Sequence, residues 1–204
     1  MHHRQANLQA VRTPVILVAG GKHCGKTTLV ADFIASVSGQ GLRIAGILAK
    51  GLWKDNLRAG FDLVNLSNGT TCPLARRRYH PDPHHHLMFD FLDAGIRAGK
   101  QALAPRICRR ADIVVVDEVG KLEARGDGWT PYIKALLTIN PPLLILIVRL
   151  DCMQRICDLF GFCNAPVIDA LHPHASDHLR SAAERALIPY LKGAAKTGGV
   201  TTGI

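Results

Sequence analysis

Short apolar runs rich in branched residues alternate with amphipathic stretches along most of this chain. Residues 14–19 (PVILVA) are uniformly apolar over a length too short for a core helix, which predicts a buried strand. Residues 27–38 carry apolar positions at helical spacing and stop at Gly39-Gln40-Gly41, predicting a helix, and residues 42–48 predict the next strand. Residues 51–66 read as antiparallel strands joined near Asp55-Asn56, with a further turn at Asn68-Gly69, hanging on an edge of the main sheet. Leu87, Phe91 and Leu92 lie at helical spacing between Pro83 and Pro105, predicting a helix over 84–104. Four consecutive branched residues end in Asp117-Glu118, the pattern of a central parallel strand. Beyond it come a helix over 130–137 with Thr130 as N-cap and Pro131 at its first position, and a strand over 143–148. A helix over 151–160, a strand over 166–169 and a helix over 176–187 capped by Ser176 complete the pattern.

Strands alternating with helices call for a mostly parallel sheet covered on both faces, a three-layer α/β/α domain with an antiparallel edge hairpin. One domain is expected over residues 1–192, followed by a disordered Gly- and Thr-rich tail over 193–204, with no internal repeat. Composition agrees: 48% of the 204 residues are hydrophobic but only 5% aromatic, so Val, Leu, Ile and Ala must build the core. No apolar run approaches the roughly 18 residues of a membrane span, and the polar start does not read as a signal peptide, so a cytoplasmic protein is expected. The six cysteines are then expected to be reduced thiols. Cys152, Cys157 and Cys163, with His172 and His174 beyond, lack the tight pairs of structural zinc sites and read as small core residues rather than metal ligands.

Charge is uneven. Residues 1–110 hold 16 Lys and Arg against 6 Asp and no Glu, whereas residues 111–204 hold 9 against 10 acids, so one half carries the whole +9 excess. That asymmetry points to a phosphate-bearing partner, nucleotide or nucleic acid.

The chemistry is explicit where the first strand ends. Gly20-Gly21-Lys22-His23-Cys24-Gly25-Lys26-Thr27-Thr28 is the G-x-x-x-x-G-K-T phosphate loop in its diagnostic setting between strand and helix. Gly20 and Gly25 let the backbone wrap phosphate oxygens, with N–H groups turned inward at the positive end of a helix. Lys26 is expected to reach the β- and γ-phosphates and Thr27 to offer its hydroxyl to Mg²⁺. The second signal is Asp117-Glu118, the Walker B pattern, with Asp117 on the metal through its water shell and Glu118 placed to activate a water. Arg76, within the basic run Arg76-Arg77-Arg78-Tyr79-His80, and Lys121 and Arg149 are candidate clamps or sensors for the transferred phosphate. The histidines His84, His85 and His86 extend the same basic loop.

Three stretches together resemble the small P-loop nucleoside-triphosphatases that include the human cancer-related nucleoside-triphosphatase and its thermophile relatives. These are Gly20 to Val30, the R-x-G-F-D run Arg58-Ala59-Gly60-Phe61-Asp62 leading to Leu74-Ala75-Arg76, and the D-E-x-G-K-x-E run Asp117-Glu118-Val119-Gly120-Lys121-Leu122-Glu123. The resemblance implies a RecA-like sheet and slow Mg²⁺-dependent hydrolysis of nucleoside triphosphates, ATP or GTP, with loose base selectivity. By that likeness Lys26, Thr27, Asp117 and Glu118 take the phosphate, metal, metal and base roles. Residues 45–50 and the Gly126-Asp127-Gly128-Trp129 segment depart from the family's pattern.

Two other functions use the same motifs. A small-molecule or nucleotide kinase would employ residues 76–110 as acceptor site and lid. A nucleotide-gated module would bind a protein or nucleic acid and use hydrolysis as a timer. Nucleic acid is not favoured, because Tyr79 is the one aromatic beside the arginines where base stacking needs more.

Overall fold

The computed structural model describes residues 13–78 and 88–197. Eight strands form one sheet: β1 (Val15–Gly20), β2 (Ile44–Lys54), β3 (Leu57–Asn65), β4 (Thr71–Arg77), β5 (Phe89–Phe91), β6 (Ile113–Val119), β7 (Leu143–Arg149) and β8 (Val167–Asp169). Their spatial order is β5-β4-β3-β2-β6-β7-β1-β8. Strands β2, β6, β7, β1 and β8 pair in parallel, and β3, β4 and β5 extend the sheet antiparallel beyond β2.

Alternation along the central strands sorts side chains onto two covered faces. Leu144, Leu146 and Val148 of β7 join Val114 and Val116 of β6 in one core, closed by α3 (Pro105–Cys108), α4 (Thr130–Ile139) and α5 (Met153–Phe160), with α2 (Asp93–Ala102) alongside. Leu143, Ile145 and Ile147 face the other way, onto Val30, Phe33 and Val37 of α1 (Lys26–Ser38) and Leu179, Ala183 and Leu187 of α6 (Ala175–Thr197). This is the three-layer α/β/α arrangement, with both faces of the parallel strands dry. Among the described residues no helix is long and apolar enough to cross a membrane.

Strand β2 belongs to both halves of the sheet. Residues 44–47 pair with β6, residues 47–54 pair with β3, and Asp55 and Asn56 close the turn with φ of 49° and 58°, the left-handed pair that a two-residue hairpin requires. The seam between the parallel and antiparallel parts depends on Gly46, whose φ is +105° and whose missing Cβ would stand 2.0 Å from the Val115 carbonyl oxygen. Gly46→Ala is therefore expected to cost about 3 kcal/mol, combining backbone strain with a clash that cannot relax without parting two central strands. Urea unfolding of the variant checks this.

Several elements differ from the sequence expectation. Of the expected 84–104 helix, residues 84–87 lie outside the described residues, Phe89–Phe91 is the edge strand β5, and the helix spans only Asp93–Ala102. The signal was ambiguous because Phe89 and Phe91 alternate with period 2, and pairing with β4 decided between the two periods. Thr130 is the first residue of α4 rather than its cap, and its hydroxyl donates to the Glu123 carbonyl at 3.2 Å. Likewise α6 starts at Ala175, before Ser176, and runs through Pro189 to Thr197, into the segment expected to be a tail. Cys108 and Cys152 are buried, whereas Cys163 is exposed rather than a core residue. Among the described residues no three His, Cys, Asp or Glu side chains converge on a metal position.

Candidate active site at the phosphate loop

Buried β1 delivers the chain to Gly20 at the carboxyl edge of the sheet, and α1 begins six residues later. Gly25 enters the helix at φ +86°, a conformation open to glycine at little cost, and a Cβ on Gly20 would stand 2.3 Å from the Cys24 sulfur. The first turn of α1 has no side-chain cap and no acidic residue, so its positive end is uncompensated and faces the loop. Lys26 Nζ donates to the Gly20 and Gly21 carbonyls at 3.2 and 2.5 Å, folding the ammonium back over the loop it must serve. Lys22, His23 and Thr28 are exposed around the loop, and His23 sits at φ 60°.

Two strands away, β6 ends in the acids. Asp117 is buried, and its carboxylate accepts from the Thr27 hydroxyl at 2.9 Å, the Ala49 amide at 2.9 Å and the Glu118 amide at 2.7 Å. Burial pushes its pKa up while those three bonds and Lys26 oppose the rise. The link to Thr27 joins the helix start to the Walker B strand across 90 residues of sequence. Hard oxygen donors so arranged suit Mg²⁺, and an aspartate already spending most of its lone pairs suits contact through a metal-bound water.

Glu118 is held in an unusual conformation. Its φ is +59°, and the pairing of β6 with β7 slips between Val116 and Val119, so a bulge takes this side chain out of the strand's alternation and leaves it exposed. Solvent reaches Glu118, yet the carboxyl is hemmed by packed protein, and its pKa is pushed up to about 7, first by burial and then by the neighbouring Asp117. Lys26, Arg58 and Arg149 pull the other way.

Glu123 is buried and accepts from the Gly120 and Trp129 amides at 2.8 and 2.9 Å, pinning the loop that follows Glu118. The Gly126 to Trp129 segment wraps this carboxylate: Gly128, at φ +58°, leaves only 2.0 Å between a would-be Cβ and Glu123 Oε1. The apparent interruption in the sequence is thus the clasp of the motif's last glutamate.

The candidate clamps divide. Arg149 ends β7 beside Gly20 and acts electrostatically on Glu118, but its guanidinium is held bidentately by Asp151 at 3.0 and 2.5 Å. Arg76 is committed elsewhere: it donates to the Phe61 and Ala75 carbonyls at 2.9 Å and to Asp62 at 2.8 Å, tying together the irregular register of β3 and β4. These bonds make Arg76 a brace within the sheet extension. Lys121 is exposed beside Asp151 and is not among the cations that bear on Glu118. Arg78 pairs with Asp90, and Tyr79, His80 and the three histidines at 84–86 lie outside the described residues.

The cation that sequence reasoning missed is Arg58. It projects from β3 over the phosphate loop, and its Nη2 donates to His23 Nδ1 at 2.9 Å. Burial, and then the nearby Arg58, Lys22 and Lys26, lower the His23 pKa, which favours the neutral ring that can accept. The guanidinium lies 4.3 Å from the Trp53 ring centre and 5.2 Å from that of Phe61.

Comparison with known proteins shows the family to which the chain belongs. A family model described as NTPase matches residues 15–168. The nucleoside-triphosphatase THEP1 of Methanosarcina barkeri is 29% identical over 145 residues, covering 69% of this chain and 80% of the relative. That of Archaeoglobus fulgidus is 26% identical over 151 residues, covering 70% and 81%. Among solved structures, a human cancer-related nucleoside triphosphatase superposes with a TM-score of 0.60 at 21% identity, covering 82% of this chain and 94% of the other. THEP1 from the hyperthermophile Aquifex aeolicus gives 0.59 at 16% identity, covering 78% and 91%. These structural likenesses concern the fold. With the family match spanning the phosphate loop, the Walker B strand and β8, the chain belongs to the NTPase family.

Proposed function

We propose that this protein hydrolyses nucleoside 5′-triphosphates to diphosphate and phosphate at the phosphate loop, with Glu118 as the general base. The observation that carries the reading is the meeting of Lys26, Thr27, Asp117 and Glu118 at one edge of the sheet, joined by the Thr27–Asp117 hydrogen bond. The names of the THEP1 relatives support the activity class, and the arrangement of the residues supports the mechanism.

Nucleotide phosphates would lie across the amide groups of residues 20–27, with Lys26 exchanging its loop carbonyls for phosphate oxygens. Thr27 and Asp117 would hold Mg²⁺, which supplies charge neutralisation on the β- and γ-phosphates. Glu118 would accept a hydrogen bond from a water facing the γ-phosphorus. As the water oxygen bonds to phosphorus, the bond to the bridging oxygen breaks and its electron pair leaves with the diphosphate. The water proton passes to Glu118 and then to the released phosphate. A raised carboxyl pKa favours that acceptance, since a stronger base is a better proton sink.

Phosphate release from a panel of nucleoside triphosphates, with Mg²⁺ and with the metal chelated, tests the proposal. Metal-dependent release from several bases is expected. A chain that consumes nucleotide only when an acceptor molecule is added would be a kinase.

A further inference from the structure

Arg58 stands out from the other described arginines in how it is held. Gly51, on the paired strand β2, makes room for it: a Cβ there would fall 1.0 Å from Arg58 Nη1 and 2.2 Å from its central carbon. Trp53 and Phe61 flank the guanidinium, and His23 accepts a hydrogen bond from it. Trp53, 55% exposed, is itself fixed by an edge contact with His23, ring centres 5.1 Å apart. A glycine, two aromatic rings and a loop histidine thus orient one cation. Arg58 Nε, however, is closed off from solvent and has no hydrogen-bond partner. A buried donor on a charged group is a standing cost unless something present during function satisfies it.

The direction in which Arg58 faces identifies what that is. In the sheet, β2 lies beside β6, on the far side of β7 from β1, so the β2–β3 hairpin overhangs the end of the phosphate loop nearest Asp117 and Glu118. Both acids act electrostatically on Arg58, and Arg58 acts in turn on Glu118. Lys26 acts electrostatically on the same two acids. A triphosphate seated on the loop with its metal at Thr27 and Asp117 puts its γ-phosphoryl group there, where charge grows as the bridging bond breaks.

We propose that Arg58 is a built-in arginine for the γ-phosphoryl group, docked on His23, Trp53 and Phe61 in a cradle left open by Gly51, and that it stabilises the charge developing during hydrolysis. The inference rests on the reading of the site as a nucleoside-triphosphatase. Its consequence is autonomy: the chain carries in cis the cation that other phosphohydrolases borrow from an activating partner.

Two variants test it together with the wild type. Arg58→Ala is expected to lower kcat by about 100-fold or more with nucleoside diphosphate affinity changed by less than about threefold, and millimolar guanidinium chloride is expected to restore part of the lost rate. Arg58→Ala should also fail to form the tight complex that wild type makes with nucleoside diphosphate, Mg²⁺ and aluminium fluoride. Gly51→Ala keeps the arginine but fills its cradle, and the displaced group is the free end of a flexible side chain, so kcat should fall with little change in melting temperature. Wild-type kcat in Arg58→Ala overturns the proposal, as does a loss matched by equal loss of diphosphate affinity without rescue. A wild type that releases no phosphate overturns instead the function on which the proposal rests.

Discussion

Replacing Glu118 by glutamine is expected to reduce turnover by about 10²- to 10⁴-fold while nucleotide affinity stays within a few-fold of wild type. The amide keeps the size and hydrogen-bonding reach of the carboxyl but cannot take a proton from water. It also removes a negative charge beside Asp117, where a triphosphate must bring several more, so binding should hold or tighten. The left-handed conformation at position 118 costs glutamine about as much as glutamate, so the fold gives no competing reason for the loss. Equilibrium binding beside steady-state phosphate release separates the two effects. Unchanged release would remove Glu118 from the base role.

Lys26→Ala acts one step earlier. In the proposed site the ammonium would be the loop's own charged contact to the β- and γ-phosphates, and a charge-assisted bond of this kind is worth about 3 kcal/mol, or roughly 100-fold in Kd. Lys26 also ties down the Gly20 and Gly21 carbonyls, so its loss loosens the loop before nucleotide arrives. Titration calorimetry should therefore show weakened binding of triphosphate and of diphosphate, with turnover lost as a consequence. The contrast with Glu118→Gln is diagnostic: one variant binds without reacting, and the other barely binds.

Much of this site could be read from the chain because its parts are local. The phosphate loop needs glycine where the backbone curls and lysine and threonine at the helix start, and these fall within eight consecutive residues. Asp117 and Glu118 lie together at the end of an apolar strand, and Asp55-Asn56 closes a hairpin through its own backbone preferences. What stayed hidden is non-local. Arg58 meets His23 across 35 residues, and its place is set by Gly51 on the facing strand and by a bulge between Leu52 and Trp53. In the sequence Arg58 and Arg76 both belong to family-like runs. Only strand pairing shows that one overhangs the loop while Asp62 and two carbonyls absorb the other. The R-x-G-F-D run divides the same way: Gly60 permits close approach to the Ala75 carbonyl, Phe61 packs on Arg58, and Asp62 anchors Arg76.

The basic half of the chain also gains a more specific meaning. Lys26 and Arg58 both act on Glu118 at the phosphate loop, and Arg149 adds to the field from the opposite half of the sequence. Arg43 and Arg76, by contrast, are paired with Asp112 and Asp62 on other parts of the sheet. Net charge alone could not have separated these roles, since screening hides exposed pairs and only geometry distinguishes a committed cation from a poised one.

The most direct test of the central claim, that Glu118 drives water onto the γ-phosphorus, is phosphate release run in ¹⁸O-labelled water and read by mass spectrometry. The account predicts that the released phosphate carries a solvent oxygen while the diphosphate carries none, and that Glu118→Gln slows formation of this product by about 10²- to 10⁴-fold. Label in the diphosphate, or nucleotide consumption without labelled phosphate, would contradict it.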